Sequence, residues 1–179
     1  MFTNNYITLC RSRLEVVGGT YKVSNGTEKT AWPNAMMYAD FGWVMHKAKF
    51  LNFSSFNVSQ GSAGGVAFGT GTTPPAKEDY KLEAPITSGL EFTNFGARPT
   101  VESEGEGVYT LQASYVIKNT TSNAVVISEI GYFGELNGNT DSSPQYWPTL
   151  MERTVLDKPV TIPAGASKVI TYKLTFHQS

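Results

Sequence analysis

The feature that most constrains the fold of this chain is a two-residue alternation near its C-terminal end, in SKVITYKLTF at 167–176. The side chains of Ile170, Tyr172, Leu174 and Phe176 point to one side of this segment, and they alternate with Val169, Thr171, Lys173 and Thr175 on the other. Because successive side chains of a β-strand point to opposite faces, the pattern predicts a half-buried strand. The segment VYTLQASYVI at 108–117 repeats the design and predicts a second strand of the same kind.

Clusters of turn-forming residues follow the second of these segments. The polar cluster KNTTSNA at 118–124 leads into the apolar run VVISEIGYFGEL at 125–136. Two apolar runs about such a cluster predict an antiparallel hairpin. The next stretch, NGNTDSSPQYWP at 137–148, holds an Asn-Gly pair and two prolines, and it predicts a longer loop.

The remaining C-terminal elements complete an all-β pattern. TLMERTVL at 149–156 predicts a further strand, and PAG at 163–165 predicts a tight turn into the last strand. Several short strands joined by Gly, Pro and Asn turns favour an antiparallel β-sandwich, immunoglobulin-like or jelly-roll-like, over residues 64–179. Residues 1–63 are expected to form an extended N-terminal segment with strands and an apolar docking arm at 31–45. The alternative is one continuous domain.

The connection at 68–86, FGTGTTPPAKEDYKLEAPI, contains the kind of glycine-rich loop that often holds phosphates. The P-loop pattern requires a lysine after the glycines, and none follows at that place. Prolines remove backbone N–H donors that a phosphate would need, and Glu78 and Asp79 would repel it. We therefore interpret the segment as a shaped connector that begins where a strand ends at Phe68 and that Tyr80 and Leu82 hold against the core.

Residue types that carry out catalysis or bind metals are sparse in this chain. It has two histidines and one cysteine, and none lies in a recognisable catalytic motif. Glu102, Glu104 and Glu106 alternate and could hold calcium, but we favour a solvated loop before the strand at Val108. A glycosidase with paired carboxylates stays an alternative, although no pair stands out among 15 acidic residues. We expect no catalytic residue, no metal and no cofactor.

Charge and aromatic content bear on the partners of the protein. The net charge is −1 and basic residues do not cluster, so the electrostatic footprint of a nucleic-acid-binding protein is missing. No apolar run approaches the roughly 18 residues of a membrane span. Aromatic residues in arm-like or loop-like stretches are candidate interface anchors, with core packing and sugar stacking as alternatives. They are Trp32, Tyr38, Phe41, Trp43, Tyr146 and Trp147.

Three segments, in their order and spacing, resemble small virion structural proteins of tailed bacteriophages. They are GGVAFGTGTTPPAKEDYKLEAPI, YVIKNTTSNAVVISEIGYFGEL and LMERTVLDKPVTIPAGASKVITYKLTF, within about residues 64–176. The resemblance implies a loop built by Gly69, Gly71, Pro74, Asp79, Leu82 and Glu83. It implies a central strand that carries Glu129, Gly131, Tyr132 and Phe133. It also implies a final hairpin set by Arg153, Leu156, Pro159 and Gly165.

The resemblance implies a non-enzymatic protein that resides in the virion, is made in the cytoplasm of a bacterial host, and acts through protein contacts. We expect a capsid auxiliary or decoration protein, or the base of a head fibre. Its expected partners are major capsid, neck or tail proteins and further copies of itself, in an oligomer or lattice, with neither nucleic acid nor membrane among them. The alternatives are a tail or baseplate component that binds a receptor, a carbohydrate-binding module, and a hydrolase.

Overall fold

The computed structural model describes residues 1–6, 19–31, 49–50, 65–94, 100–105, 108–140 and 143–177. Within these ranges the chain consists mostly of β-strands, with a single helical turn at 4–6. The strands are β1 (Gly19–Lys22), β2 (Glu28–Ala31), β3 (Lys49–Phe50), β4 (Gly65–Gly69), β5 (Leu90–Asn94), β6 (Thr100–Gly105), β7 (Val108–Asn119), β8 (Val125–Thr140), β9 (Ser143–Ile162) and β10 (Ser167–His177). The predicted all-β class is confirmed.

Two four-stranded sheets and one hairpin contain these strands. The first sheet has the order β3-β4-β8-β9, and its strands are antiparallel except for the short parallel pair β3–β4. The second sheet is centred on β7, which pairs with β10 along one edge and with β5 and β6 along the other. β1 and β2 pair with each other as an antiparallel hairpin. We call the two larger sheets the β8 sheet and the β7 sheet.

A single core cluster draws side chains from both of these sheets. Its members on the β8 sheet include Phe68, Ile130 and Tyr132, and those on the β7 sheet include Ile117 and Tyr172. The alternation predicted for β10 is confirmed, because Ile170 and Tyr172 are buried while Val169 and the residues at 171 and 173 are exposed. Period-two patterning therefore places the buried face of this strand correctly.

Both hairpins predicted for the C-terminal half are wrong. β7 pairs with β10 and not with β8, and β9 pairs with β8 and not with β10. The connections at 120–124 and 163–166 therefore carry the chain from one sheet to the other. The buried side chain of Asn119 ties the two connections together, since its Nδ2 donates to Asn123 O at 2.7 Å and to Ile162 O at 3.0 Å. The tight turn predicted at 163–165 is confirmed by the Ala166 N–H, which donates to Pro163 O at 3.1 Å.

The loop predicted at 137–148 is also wrong. β8 continues to Thr140 and β9 begins at Ser143, with paired residues throughout, so most of the stretch is strand. Pro144 and Pro148 did not prevent this, because β9 lies at the edge of its sheet. An edge strand has one side without ladder hydrogen bonds, and a proline is tolerated there.

The acidic segment that we interpreted as a solvated loop contains a strand. Glu102 pairs with Thr110 within the β6–β7 ladder, and the ladder begins at Thr100. The short strand β5 pairs only with residues 116–119 of β7, which leaves the backbone groups at 108–112 for β6. The polar composition of this segment gave no sign that it forms a strand. Glu106 lies outside the described residues, and the described ranges contain no group of three potential metal-binding side chains.

The N-terminal residues contact the strands of the C-terminal half. Phe2 forms a β-bridge with Glu152, and the Thr3 N–H donates to Met151 O at 2.9 Å. Tyr21 and Val23, in and after β1, belong to the main core cluster. The division into 1–63 and 64–179 stays a prediction. None of the helical residues described here forms a helix long and apolar enough to cross a membrane.

Candidate functional site

The most distinctive feature of the structure is a long loop at 70–89 that lies over a buried ion pair. The loop leaves β4 after Gly69, and its later part returns to the end of that strand, where Gly69 forms a β-bridge with Pro85 and the Thr70 N–H donates to Ala84 O at 2.8 Å. The Ile86 N–H likewise donates to Phe68 O at 2.8 Å. Leu82 is 1% exposed and anchors the loop in a second small apolar cluster. The loop is therefore attached to the β8 sheet at several points.

Glu129, on β8, is the centre of this attachment and is completely buried. Its Oε1 accepts hydrogen bonds from the Ala84 N–H at 2.8 Å and the Gly71 N–H at 3.2 Å. Its Oε2 accepts one from the Glu83 N–H at 3.2 Å. A buried carboxylate is expensive unless donors and a counter-charge compensate it. Glu129 obtains its backbone donors from both ends of the loop, which it thereby holds together.

Arg153, on β9, supplies the counter-charge and extends the network outward. Its Nε donates to Glu129 Oε2 at 2.8 Å, its Nη1 to Asp79 Oδ2 at 3.0 Å, and its Nη2 to Glu83 Oε2 at 3.3 Å. Burial lowers the pKa of Arg153, but hydrogen bonds and charge from Glu129 and Asp79 outweigh it and raise the pKa. We call these four residues the Glu129 clamp.

Glu83 completes the outer part of the clamp by ordering the start of the loop. Its Oε2 accepts the backbone N–H groups of Thr72 and Thr73, each at 2.9 Å, and its Oε1 accepts the Thr73 hydroxyl at 2.7 Å. The bonds from Thr73 are the main reason that the pKa of Glu83 is lowered, with Thr72 and the charge of Arg153 adding to them against burial. Backbone amides that could have faced a phosphate therefore face a carboxylate of the protein.

Glycine is required where the loop crosses the carboxylate. A Cβ at Gly69 would lie 2.7 Å from Ala84 O and would clash with Glu129 Oε1. A Cβ at Gly71 would lie 2.6 Å from both Glu129 Oε1 and Glu83 Cβ. At Gly131, it would lie 2.7 Å from Leu82 Cδ2. The glycines therefore allow the loop and β8 to approach each other closely, and this close packing explains them without a ligand.

The structure brings together most of the motif residues that the resemblance singled out. Gly69, Gly71, Asp79, Leu82, Glu129 and Gly131 all lie in or against the clamp. Pro74 is exposed on the loop. Gly165 lies elsewhere, in the turn after β9 with a φ of +69°, a backbone conformation that favours glycine. The resemblance placed Arg153 in a hairpin that does not exist, whereas its side chain belongs to the clamp.

Sequence reasoning missed the ion pair between Glu129 and Arg153. The available signal was Glu129 inside the run SEIGYF and the adjacent charged residues Glu152 and Arg153 inside the run LMERTV. Charged residues are almost never fully buried unless they are paired, so charged residues at interior strand positions favour ion pairs between the strands. Their partners in the loop carry no such signal, because exposed acids are common.

Two of the six candidate interface aromatics lie within the described residues. Trp32, Tyr38, Phe41 and Trp43 lie outside the described residues, as does the arm at 31–45 beyond Ala31. The remaining two are on β9, where Tyr146 pairs with Asn137 and Trp147 pairs with Leu136. The sequence predicts a loop at these positions, and that prediction is wrong.

A second buried polar group lies on the other side of β9. Glu152 is 4% exposed and accepts hydrogen bonds from the Tyr172 hydroxyl and, at 2.6 Å, from the Thr154 hydroxyl. The terminal ammonium of Met1 lies 2.5 Å from Glu152 Oε1. Burial and the adjacent Glu152 carboxylate raise the pKa of Tyr172 well above its ordinary value. The hydroxyl is therefore a permanent donor that joins the β7 sheet to the β8 sheet.

The chemistry of the Glu129 clamp is suited to holding the 70–89 loop in one position. Both oxygens of Glu129 and all three nitrogens of the Arg153 guanidinium are engaged by groups of the protein itself. Comparison with protein-family models, with curated protein sequences and with solved structures finds no match to this chain.

Proposed function

We propose that this chain is a non-enzymatic structural protein of a tailed-bacteriophage virion, namely a capsid auxiliary or decoration protein or the base of a head fibre. The observation that carries the proposal is the 70–89 loop, an irregular connection that a buried ion pair holds in one shape. Irregular loops of this length in compact domains are usually functional. The three segments that resemble virion proteins include this loop and the strands that hold it.

We also propose that the two larger sheets face each other as a β-sandwich. Support comes from the core cluster, which contains side chains of both sheets. Further support comes from the two connections at 120–124 and 163–166, which pass between sheets at Asn119, and from the Tyr172 hydroxyl bonded to Glu152. A sandwich would present its loops at its two ends, where a partner can reach them.

The shape of the loop favours a contact surface over a catalytic one. Thr72, Thr73, Lys77, Glu78 and Lys81 are exposed on a backbone that is anchored from beneath. A surface that is already ordered loses less conformational entropy when it binds, so preorganisation increases affinity. In a symmetric particle a modest contact repeated many times gives high avidity. This combination of a rigid loop and mixed charge suits a protein that docks on a lattice.

The tests begin with particles from a phage whose copy of this gene is deleted. Purified protein is added back, bound copies are counted by quantitative mass spectrometry, and gold-labelled antibody locates them by electron microscopy. The proposal predicts saturable binding spread over the heads. Label at the neck or tail would transfer the assignment to the receptor-binding alternative. Absence of this chain from both wild-type and reconstituted particles would overturn the virion assignment.

A matched pair of charge swaps tests the role of the loop. Exchanging Lys77 and Glu78 reverses two exposed charges on the loop and preserves the net charge. Exchanging Asp157 and Lys158 does the same on an exposed part of β9. We expect the first swap to weaken binding to particles at least tenfold and the second to leave it unchanged. Equal binding by both variants would show that the loop is not the contact surface.

A further inference from the structure

The edge strands of the two larger sheets differ in how they are shielded against pairing with another chain. An edge strand presents backbone N–H and C=O groups that have no ladder partner, and proteins commonly shield it with prolines, bulges or a covering segment. β9 has all three, because it contains three prolines, its ladder with β8 has register shifts, and Phe2 forms a β-bridge with Glu152 on its outer side. β5 and β6 are 5 and 6 residues long, and each has a register shift against β7. These edges therefore offer a second chain little to pair with.

β10, the other edge of the β7 sheet, has none of these three devices. It is 11 residues long, contains neither proline nor glycine, and pairs with β7 in one continuous register from Ser167 to His177. No strand in the described part of the chain pairs with its other side. The outer face of β10 also carries Val169, which is 60% exposed. A long and regular edge strand of this kind is a template for pairing with another strand.

Hydrogen bonds at the end of the β7–β10 ladder show which backbone groups of β10 point outward. The Asn119 N–H donates to Ala166 O at 2.9 Å, one step beyond the last pair of the ladder. On the β5 side, the Thr120 N–H donates to Gly89 O at 2.9 Å, which gives the same phase. Opposite residues of an antiparallel ladder are hydrogen-bonded at every second pair. The even-numbered residues of β10 therefore bond to β7, and the six odd-numbered residues within 167–177 direct their N–H and C=O groups away from it.

We propose that this edge is a dimerisation surface, on which β10 of a second copy of the chain pairs antiparallel about a two-fold axis at Tyr172. In this register residue 171 lies opposite residue 173 of the second copy, and residue 169 lies opposite residue 175. Every outward-directed residue then meets another one, so six N–H groups from each copy form twelve backbone hydrogen bonds in all. A typical protein interface has about ten direct hydrogen bonds, so the edge alone supplies enough. The proposal does not depend on the virion assignment, because purified protein tests it.

Face and charge complementarity favour a second copy as the occupant. Opposite residues of an antiparallel pair lie on the same face, so the buried face of one β10, which carries Ile170 and Tyr172, continues into that of the other. An axis at Tyr172 places Lys173 opposite Thr171, and it also pairs the strand over its whole length. An axis at Lys173 would place two ammonium groups opposite each other, which destabilises a sheet. The surface is therefore complementary to itself, as a two-fold interface requires.

The experiment combines analytical ultracentrifugation with amide hydrogen exchange on the full chain, in a reducing buffer that keeps Cys10 from forming a disulfide. Between about 1 μM and 1 mM protein we expect a reversible equilibrium of the 19.5 kDa monomer with a species of twice that mass. The N–H groups of residues 169, 171 and 173 should gain protection as the dimer forms, while those of residues 170 and 172 are protected throughout. A chain that is monomeric at the highest concentration would overturn the proposal. So would a dimer in which the odd-numbered amides exchange as fast as they do in the monomer.

Two substitutions at the exposed residue Thr171 test the register. Thr171→Lys creates two pairs of opposite lysines across the axis, so we expect dimerisation to weaken roughly 2–30-fold. Thr171→Glu creates two Glu–Lys pairs and should strengthen dimerisation by a similar factor of roughly 2–30. The same two changes at Thr161, an exposed threonine of β9, are the matched controls for net charge and should leave dimerisation unchanged. Effects of the same sign in the two Thr171 variants, or no effect in either, would overturn the proposed pairing.

Discussion

Replacing Glu129 with glutamine should destabilise this protein far more than an ordinary loss of one surface charge. Four N–H groups point at the carboxylate, three from the loop backbone and one from Arg153. The glutamine oxygen can accept from one pair of donors, but its NH₂ group then faces the other pair with no acceptor between them. Breaking a buried ion pair by removing one partner costs about 3–5 kcal/mol. For a chain of this size we expect Tm to fall by roughly 6–20 °C.

The assay for Glu129→Gln is chemical denaturation of wild type and variant at pH 7, with Glu78→Gln as control. Glu78 is an exposed carboxylate in the same loop, so the identical chemical change there should stay within about 0.5 kcal/mol. Amide hydrogen exchange supplies an independent readout, since the N–H groups of Gly71, Glu83 and Ala84 should lose protection more than the core of β8 does. A loss below about 1 kcal/mol with unchanged exchange at these amides would refute the assignment of Glu129 as the anchor of the loop.

Three further predictions concern single residues. Gly69→Ala should destabilise the protein by about 1–3 kcal/mol in denaturant titrations, because its Cβ would overlap Glu129 and Ala84 O; wild-type stability would contradict this. The pKa of Glu83 is lowered from 4.5 in the folded state. The ionised carboxylate therefore stabilises the fold fully above pH 4.5, and this stabilisation is lost as the pH falls through the folded-state pKa. The stability difference between wild type and Glu83→Gln should therefore shrink from pH 6 to pH 3, and a constant difference would disprove it. Asn119→Ala should cost about 2–4 kcal/mol in thermal unfolding, since it orphans carbonyls in both connections between the sheets; a loss below about 1 kcal/mol would show that the connections do not need this amide.

The buried face of β10 was predicted correctly and the pairing of the strands wrongly, and both results have the same explanation. Alternation along 167–176 correctly identified the buried face of β10, because the pattern reports which side of a strand meets apolar neighbours. The same pattern is silent about which strand is the neighbour. The hairpins predicted across 118–124 and 163–165 failed for this reason. A short turn is compatible with a hairpin and with a passage to another sheet, and the bonds of Asn119 decide between them.

At the Glu129 clamp, too, some features could be predicted from the sequence and others could not. Glycines at 69 and 71 could be identified from sequence as special, but their purpose depends on a carboxylate that lies far along the chain at Glu129. Phosphate binding, a bend and close approach all select glycine at such positions. The contact between Glu83 and Arg153 was likewise unpredictable, since neither residue carries a local signal of the other.

By itself, the sequence determined that this chain forms strands, which faces of β7 and β10 are apolar, and that turns follow β7 at 118–124 and precede β10 at 163–165. These properties are local, because they depend on periodicity and on backbone preferences over a few residues. The tertiary structure alone decided which strands pair, that Glu129 and Arg153 lie beneath the 70–89 loop, and that β10 has no second neighbour within the described part of the chain. These depend on contacts between residues far apart in the chain, where the pairing of a strand or the burial of a charge is set by groups that no local pattern identifies.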